Sequence, residues 1–460
     1  MMEATLGLSE LSQSPPQPSG PDTHNAFKTA WTRLQLFFDP LRTVAQRFDH
    51  YGDAYRVQYP SGALYVLRHP DHIRDVLVSN AAAFDKQHSA FRLLSRVLGE
   101  GLLTTDGELW RRQRRMVQPA FARSRLEQYS AVMVDEAERC RARLTHLDHA
   151  DLSREMNALT LRIVTRTLFG QRSADSGQTA RAMQDLNTML TTPPQWFAIW
   201  PGARRRFERS VAQLDAIVDG LIEAKRRELS IANSEGSDLL SALMLARDEE
   251  HGDALTAREL RDQLLTLYLA GHETTSHALT WTLYLLSQHP RALTALQAEL
   301  QSVLGGRPPT FDGLPALKYT EQVLKEGLRL YPPAFTLPRH ACMDTSIGPY
   351  PVAKGSEVVI WIYHVHRNPR FYPEPERFDP DRFTQEQEAA RPKYAYLPFG
   401  AGQRACIGQM FAMLEAQLIL ATLLQNLRFD YARKRPPGIR MGVTLAPRGG
   451  MPMRVTALPH

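Results

Sequence analysis

Along most of this chain apolar residues recur at three- and four-residue intervals, which gathers them on one face of an α-helix. The spacing predicts helices over 107–117, 124–147, 151–170, 177–190, 203–231, 237–248 and 256–288, another after Pro290, and one over 319–331. In the second of these, Leu126, Tyr129, Met133 and Ala137 share a face, and from His69-Pro70 onward Ile73, Val76 and Leu77 repeat the pattern. Two short stretches differ. Residues 54–59 and 63–67 flank Pro60-Ser61-Gly62 and predict a β-hairpin. Strand-like pieces return late, at Glu357–Trp361 and Met441–Leu445. Pro and Gly are dense between 332 and 402, so this stretch is expected to be mostly irregular, and a long loop region of that kind generally serves function. No internal repeat is visible. The sum is a mainly α protein with small β-sheets.

Composition refines the picture. The chain has 460 residues, 43% of them hydrophobic, enough for a large core. No linker divides it after residue 30, so residues 23–460 are expected to form one large domain. The preceding segment, with Ser12, Ser14, Pro15, Pro16, Pro18, Ser19, Gly20 and Pro21, predicts a disordered tail over 1–22. It lacks the charged start and apolar core of a signal peptide. No run of 18 or more apolar residues predicts a membrane span, and a cytoplasmic protein is expected. Cys140, Cys342 and Cys406 lie far apart, without paired metal-type spacing, which argues against a disulfide scaffold. The net charge of +6 is spread over the chain, densest at Arg111, Arg112, Arg114 and Arg115 and again at Arg204, Arg205 and Arg206. Without interleaved aromatics or a recognisable module, these runs do not predict nucleic-acid binding.

Candidate chemistry concentrates in Phe399-Gly400-Ala401-Gly402-Gln403-Arg404-Ala405-Cys406-Ile407-Gly408, which leads into a helical pattern from Met410 to Gln425. A lone free cysteine is most often a small buried residue. This one ends a glycine-punctuated turn just before a helix, whose N–H groups and dipole favour a thiolate. The glycines also let the backbone approach a flat group closely. A cysteinate beneath a planar metal cofactor accounts for all of these features. A second patch, Ala270-Gly271-His272-Glu273-Thr274-Thr275, lies in the 256–288 helix. Gly271 costs up to ~1 kcal/mol against alanine there. A threonine hydroxyl bonded to the carbonyl four residues earlier bends a helix and opens a groove for a small ligand. Simple close packing by the same residues is the alternative. Glu326 and Arg329 share a helix face at i, i+3, and Trp110 and Arg114 do so at i, i+4.

The spacing Phe-x-x-Gly-x-Arg-x-Cys-x-Gly resembles the haem-ligand loop of the cytochrome P450 family of haem-thiolate monooxygenases, and residues 270–275 resemble that family's oxygen-activation motif. The resemblance implies the cytochrome P450 fold and haem b, with Cys406 as axial iron ligand. Phe399, Gly400, Ala270 and Gly271 would lie against the haem, and Arg404, Arg114, Trp110, Arg339 and Lys86 would hold its propionates. Thr274 and Glu273 would be the catalytic proton relay. Glu326 and Arg329 look like the family's structural Glu-x-x-Arg, completed by a second arginine. Arg377 and Arg382 compete for that place, and the pattern Phe378 to Phe383 favours Arg382.

An axial thiolate pushes electron density onto iron and favours O–O cleavage. The implied activity is insertion of one oxygen atom from O2 into an apolar small molecule, by hydroxylation or epoxidation. Electrons would come from NAD(P)H through a separate ferredoxin or flavodoxin-type donor and its reductase, since no fused reductase follows Cys406. The donor would dock near Arg111, Arg112 and Arg115. With no N-terminal anchor the chain looks like a soluble bacterial member, acting as a monomer. Haem-thiolate isomerases, dehydratases and peroxygenases are the rival class; they tend to alter the acid–threonine pair, which is intact here. A haem sensor is a second rival, without an appended signalling module to support it. The substrate pocket is expected from residues 87–103, 186–202, the groove beside Ala270, Ala334–Leu337 and Val443–Ala446. Phe91, Leu94, Phe335 and Leu337 favour a fatty acid, terpene, steroid or polyketide, and the apolar loop 193–200 would be a lid, a membrane contact or core.

Overall fold

A computed structural model describes residues 16–21, 26–59, 62–170, 201–232, 238–248, 250 and 252–458. The helix expected over 177–190 and the apolar loop 193–200 lie outside these residues. The chain forms two compact units, Met1–Asp85 with Pro338–Ile360, and Lys86–Leu337 with Trp361–His460.

The first unit carries helices α1 (Ala26–Phe38) and α2 (Pro40–Tyr51) and a five-stranded sheet of β1 (Ala54–Tyr59), β2 (Gly62–Leu67), β3 (Phe84–Asp85), β5 (Leu337–Ala341) and β8 (Glu357–Ile360). Its spatial order is β1-β2-β8-β5-β3. β1 and β2 form the expected antiparallel hairpin, running from Ala54 opposite Leu67 to Tyr59 opposite Gly62. The strand predicted at 357–361 is β8, paired parallel to β2. A small hairpin of β6 (Thr345–Ile347) and β7 (Tyr350–Val352) lies between β5 and β8 in sequence. Of the tail expected over 1–22, only residues 16–21 are described. They have no regular secondary structure, and the Ser19 carbonyl accepts the Arg56 N–H at 3.2 Å.

The second unit holds the remaining long helices: α3 (Ser89–Leu98), α4 (Gly107–Val117), α5 (Arg123–Leu144), α6 (Leu152–Phe169), α7 (Pro201–Ala232), α8 (Ala257–Gln288), α9 (Pro290–Leu304), α10 (Lys318–Leu330) and α11 (Gln409–Leu424). The protein is thus mainly α with small sheets, as the periodicity predicts. Leu126, Tyr129, Met133 and Ala137 of α5 are all buried. The helix expected over 237–248 is shorter, Leu239–Leu245, and starts where the Asp238 carboxylate accepts the Ser241 N–H. Two further sheets close the unit: β4 (His149–Asp151), β12 (Pro452–Ala457) and β9 (Leu427–Tyr431) in that spatial order, and a hairpin of β10 (Gly438–Met441) and β11 (Leu445–Arg448). Met441–Leu445 is therefore not one strand. Met441 pairs with Leu445 across a turn, in which the Gly442 N–H bonds the Thr444 carbonyl at 3.1 Å. The apolar alternation runs through that turn and conceals it.

α8 organises the unit. Its first turn is a capping box: the Glu259 N–H bonds Thr256 Oγ1 at 3.2 Å, and the Thr256 N–H bonds the Glu259 carboxylate at 2.9 Å. Leu264, Leu265, Leu279, Trp281 and Leu283 are buried around its whole circumference, as befits a core helix. The buried hydroxyls of Thr280 and Thr282 are satisfied within the helix, bonding the carbonyls of Ser276 and Ala278, each at 2.7 Å.

Candidate active site

Gly400 and Gly402 take φ values of 71° and 69°, a backbone that only glycine adopts without strain, and they fold the 399–408 loop back on itself. The loop closes through the Cys406 N–H to the Phe399 carbonyl at 2.9 Å and the Gly400 N–H to the Leu397 carbonyl at 3.0 Å. Cys406 is exposed, whereas Cys140 is buried and Cys342 intermediate. Yet crowding raises the Cys406 thiol above its ordinary pKa, against the Gly408 N–H and the Arg114 charge, which lower it. A side chain both accessible and crowded lines a recess rather than an open surface. Left alone it is a thiol at neutral pH and not an activated nucleophile; a bound metal cation would hold it as thiolate.

The cations expected near this loop fall into two groups. Arg404 bonds the Thr105 carbonyl at 2.7 Å and the Asp106 carboxylate at 2.6 Å, with its guanidinium 4.1 Å from the Trp110 ring centroid. Arg114 bonds the Ala405 carbonyl at 3.0 Å, next to the cysteine. Lys86 donates to the Leu103 carbonyl at 2.8 Å and lies 5.0 Å from the Phe91 ring, while its own N–H is taken by Asp106 at 3.0 Å. Arg339 is on β5 in the other compact unit, buried, with its guanidinium donating to the Pro338 carbonyl at 2.8 Å. Asp106, which is not among the residues singled out from the sequence, organises the first group by accepting from both Arg404 and the Lys86 N–H. Segment 99–105 is tied to α8: the N–H groups of Glu100 and Leu102 bond Asp262 at 2.8 Å and Gln263 at 3.0 Å. A Cβ on Gly101 would come within 2.2 Å of Thr266 Oγ1.

On α8 the turns around the motif are buried, but Ala270 is exposed and Thr274 partly so. An accessible stripe in the middle of a buried helix lines an internal recess. Thr274 Oγ1 bonds the Ala270 carbonyl at 2.6 Å, the back-bond expected of it. Gly271 is turned toward α6, where an added Cβ would come 3.1 Å from Val164 Cγ2, and Thr160 of α6 bonds the His272 carbonyl at 2.9 Å. Close helix packing accounts for this glycine. Glu273 is buried, and its carboxylate accepts from Thr444 at 3.1 Å; Thr444 also contacts His277 Nδ1 at 3.1 Å. Glu415 of α11 is a further buried acid that sequence reasoning missed. Neither of its oxygens has a hydrogen-bond partner of regular geometry, and burial keeps it protonated well above the usual range, against a lowering contribution from Thr275.

Glu326 and Arg329 are fully buried and paired through two bonds of 2.6 and 2.8 Å. Arg382 approaches Glu326 at 3.7 Å, whereas the Arg377 side chain is exposed beside Glu374. The second arginine is therefore Arg382. Arg329 also bonds the carbonyls of His366 (2.9 Å), Pro375 (2.7 Å) and Arg377 (3.0 Å), and His366 Nε2 accepts the Leu397 N–H at 3.0 Å. The ion pair is thus fastened to the residue two before Phe399. On α4, Arg111 meets Glu108 at 2.9 Å, Arg112 meets Glu259 at 2.6 Å, and Arg115 meets Glu250 at 3.0 Å and Asp248 at 3.3 Å. The positive run is largely balanced by acids of the same chain.

The chain belongs to the cytochrome P450 family, whose model, Cytochrome P450, matches residues 18–452. It is 37% identical over 422 residues to cyclooctatin synthase of Streptomyces melanosporofaciens, covering 89% of this chain and 90% of that protein. Cyclooctat-9-en-7-ol 5-monooxygenase of the same organism is 35% identical, covering 86% of each chain. Pentalenene oxygenase of Streptomyces avermitilis is 34% identical, over 87% of this chain and 88% of its own. The protein is accordingly a haem b monooxygenase that uses O2, and electrons from NAD(P)H through redox partners, to oxygenate a small apolar substrate. Among the described residues no helix is long and apolar enough to cross a membrane.

The residues present fit a haem. Cys406 offers one accessible sulfur, and among the described residues no group of three His, Cys, Asp or Glu is placed to hold a metal ion. An ion at Cys406 must bring further donors of its own, as a porphyrin does.

Proposed function

We propose that Cys406 is the axial ligand of the haem iron and that the substrate is a cyclic terpene. The recessed, accessible sulfur between the Gly408 N–H and Arg114 is the observation that carries the ligand assignment. Phe399, Gly400, Ala270 and Gly271 would help hold the haem, and Gly271 also lets α6 pack closely on α8. Arg404 with Trp110, Arg114 and Lys86 would supply the cations for two propionates, whose burial calls for charge-assisted hydrogen bonds. Bound there, haem supplies the binding and reductive activation of dioxygen. The protein holds protons at Thr274 Oγ1 and the Glu273 carboxylate, and it keeps water off the substrate with apolar walls. The balance is RH plus O2, two electrons and two protons, giving ROH and water.

The names of the three relatives support a cyclic terpene, as do the half-buried Phe335 and Leu337 and the buried Phe91. The electron donor is a ferredoxin or flavodoxin-type protein, and residues 23–460 act as one cytoplasmic, monomeric haem domain. Screening cyclic terpenes for the low-to-high-spin Soret shift, then turning over the hits under 18O2 with a surrogate reductase, tests this reading. One labelled oxygen in the product is expected; a rearranged or dehydrated product without label would overturn it.

Thr274→Ala is expected to keep haem and spectrum, while product formed per NADPH falls roughly tenfold and peroxide rises. Product yield at the wild-type level would remove Thr274 from the relay.

A further inference from the structure

Glu273 and His277 stand one turn apart on α8 and share a face, while Ala270 and Thr274 share another about 100° around the helix. The two faces differ in surroundings. Glu273 is 5% exposed and His277 8%, whereas Ala270 is exposed. Between Glu273 and His277 sits the Thr444 hydroxyl, 3.1 Å from each. Thr444 is held from outside the pair. Its neighbour Leu445 donates its N–H to the Pro333 carbonyl at 3.0 Å and accepts from Trp281 Nε1 at 3.1 Å. Trp281 in turn is buried and stacked on Tyr331 with ring centroids 4.0 Å apart.

Proton counting orders the contact. Thr444 has a single hydroxyl proton, and toward an ionised Glu273 it is donated. Its oxygen then accepts, so His277 must present Nδ1–H. Burial, with smaller contributions from the Arg440 charge and His272, pulls the His277 pKa down to about 3, so the ring is neutral. Its proton is therefore at Nδ1, leaving Nε2 bare. The row reads Nδ1–H to hydroxyl to carboxylate, all in one direction.

We propose that Thr444 is a latch on Glu273. Its hydroxyl, oriented by His277, parks the carboxylate on the face turned from the Ala270–Thr274 stripe, and proton delivery along that stripe waits on its release. Thr444 and His277 are thus positioning residues, and the proposal rests on the monooxygenase reading above. Thr444 lies in the segment Val443–Ala446, expected in the substrate pocket by resemblance, which gives the latch a route to respond to substrate.

The test pairs kinetics with a measurement that needs no turnover. Thr444→Val keeps the side-chain shape and removes the hydroxyl; Thr444→Ser keeps the hydroxyl. Losing a hydrogen bond to a carboxylate shifts the released population by about tenfold. Substrate-free NADPH oxidation by the Thr444→Val holoenzyme should rise by that factor, and Thr444→Ser should restore the wild-type rate. Separately, 15N-histidine spectra of the reduced carbon-monoxide complex, assigned with His277→Gln, should show His277 protonated at Nδ1. An unchanged or lower rate in Thr444→Val, or a wild-type His277 protonated at Nε2, overturns the latch. If wild-type enzyme consumed no O2 at all, the monooxygenase reading would fall, and the nitrogen spectrum would still decide the hydrogen-bond order.

Discussion

Cys406→Ser is expected to abolish the carbon-monoxide difference band of thiolate-ligated haem while leaving a folded protein. The site explains why the loss should be complete. Crowding already raises the Cys406 thiol, and the Gly408 N–H with the Arg114 charge does not overcome it. A serine hydroxyl starts far higher still, so nothing here would hold it as an alkoxide beneath iron. The fold should barely notice, because the side chain is exposed and the loop is closed by backbone bonds from Gly400 and Cys406 that serine keeps. Exchanging sulfur for oxygen at one side chain of a recess leaves that backbone closure in place, so the urea midpoint of the haem-free protein should stay near wild type. Reduced carbon-monoxide difference spectra alongside urea midpoints check both halves, and a persisting thiolate band would refute the ligand assignment.

The second large effect is expected at a distance from the chemistry. Arg329→Ala should yield little folded holoprotein. It strips the partner from a carboxylate that is fully buried, and breaking such a pair costs about 3–5 kcal/mol. That is a large share of the ~5–15 kcal/mol by which domains are stable. It also frees the carbonyls of His366, Pro375 and Arg377 from their donor, and His366 is the residue that accepts from Leu397 at the entrance to the cysteine loop. Burial pushes Glu326 toward its protonated form even with Arg329 present, so the acid depends on that partner to stay ionised. Arg377→Ala is the control: its side chain is exposed, only its carbonyl meets Arg329, and the midpoint should move by less than about 0.5 kcal/mol. Normal haem content in Arg329→Ala would show that the pair does not position the loop.

What the sequence makes legible follows from how local each signal is. The helices are legible because the 3.6-residue period is written into them, and the hairpin of β1 and β2 because its strands are adjacent. The strand at β8 is legible as well, but the pairings of β2 with β8, β3 with β5 and β4 with β12 are not, since they join segments hundreds of residues apart. Arg382 can be preferred to Arg377 from its motif, but the reason is spatial: only its side chain turns in to Glu326. Gly271 also sits where an added Cβ would come 3.1 Å from Val164 of α6, a packing contact that the local motif does not reveal. The contacts of Asp106, Thr444 and His277 have no local signature. Their partners Arg404 and Glu273 arrive from 298 and 171 residues away in the chain.

Glu259 does two jobs at once, closing the first turn of α8 and gripping Arg112 from α4. A substitution at Arg112 would therefore unsettle the start of the helix that carries Ala270 to Thr275, and a slower reduction rate could not be ascribed to weaker docking of the reductant. Arg111, whose counterion Glu108 is its exposed neighbour on the same helix and which has no ion pair or hydrogen bond to α8 among the described residues, is expected to be the cleaner position for a charge reversal that tests docking.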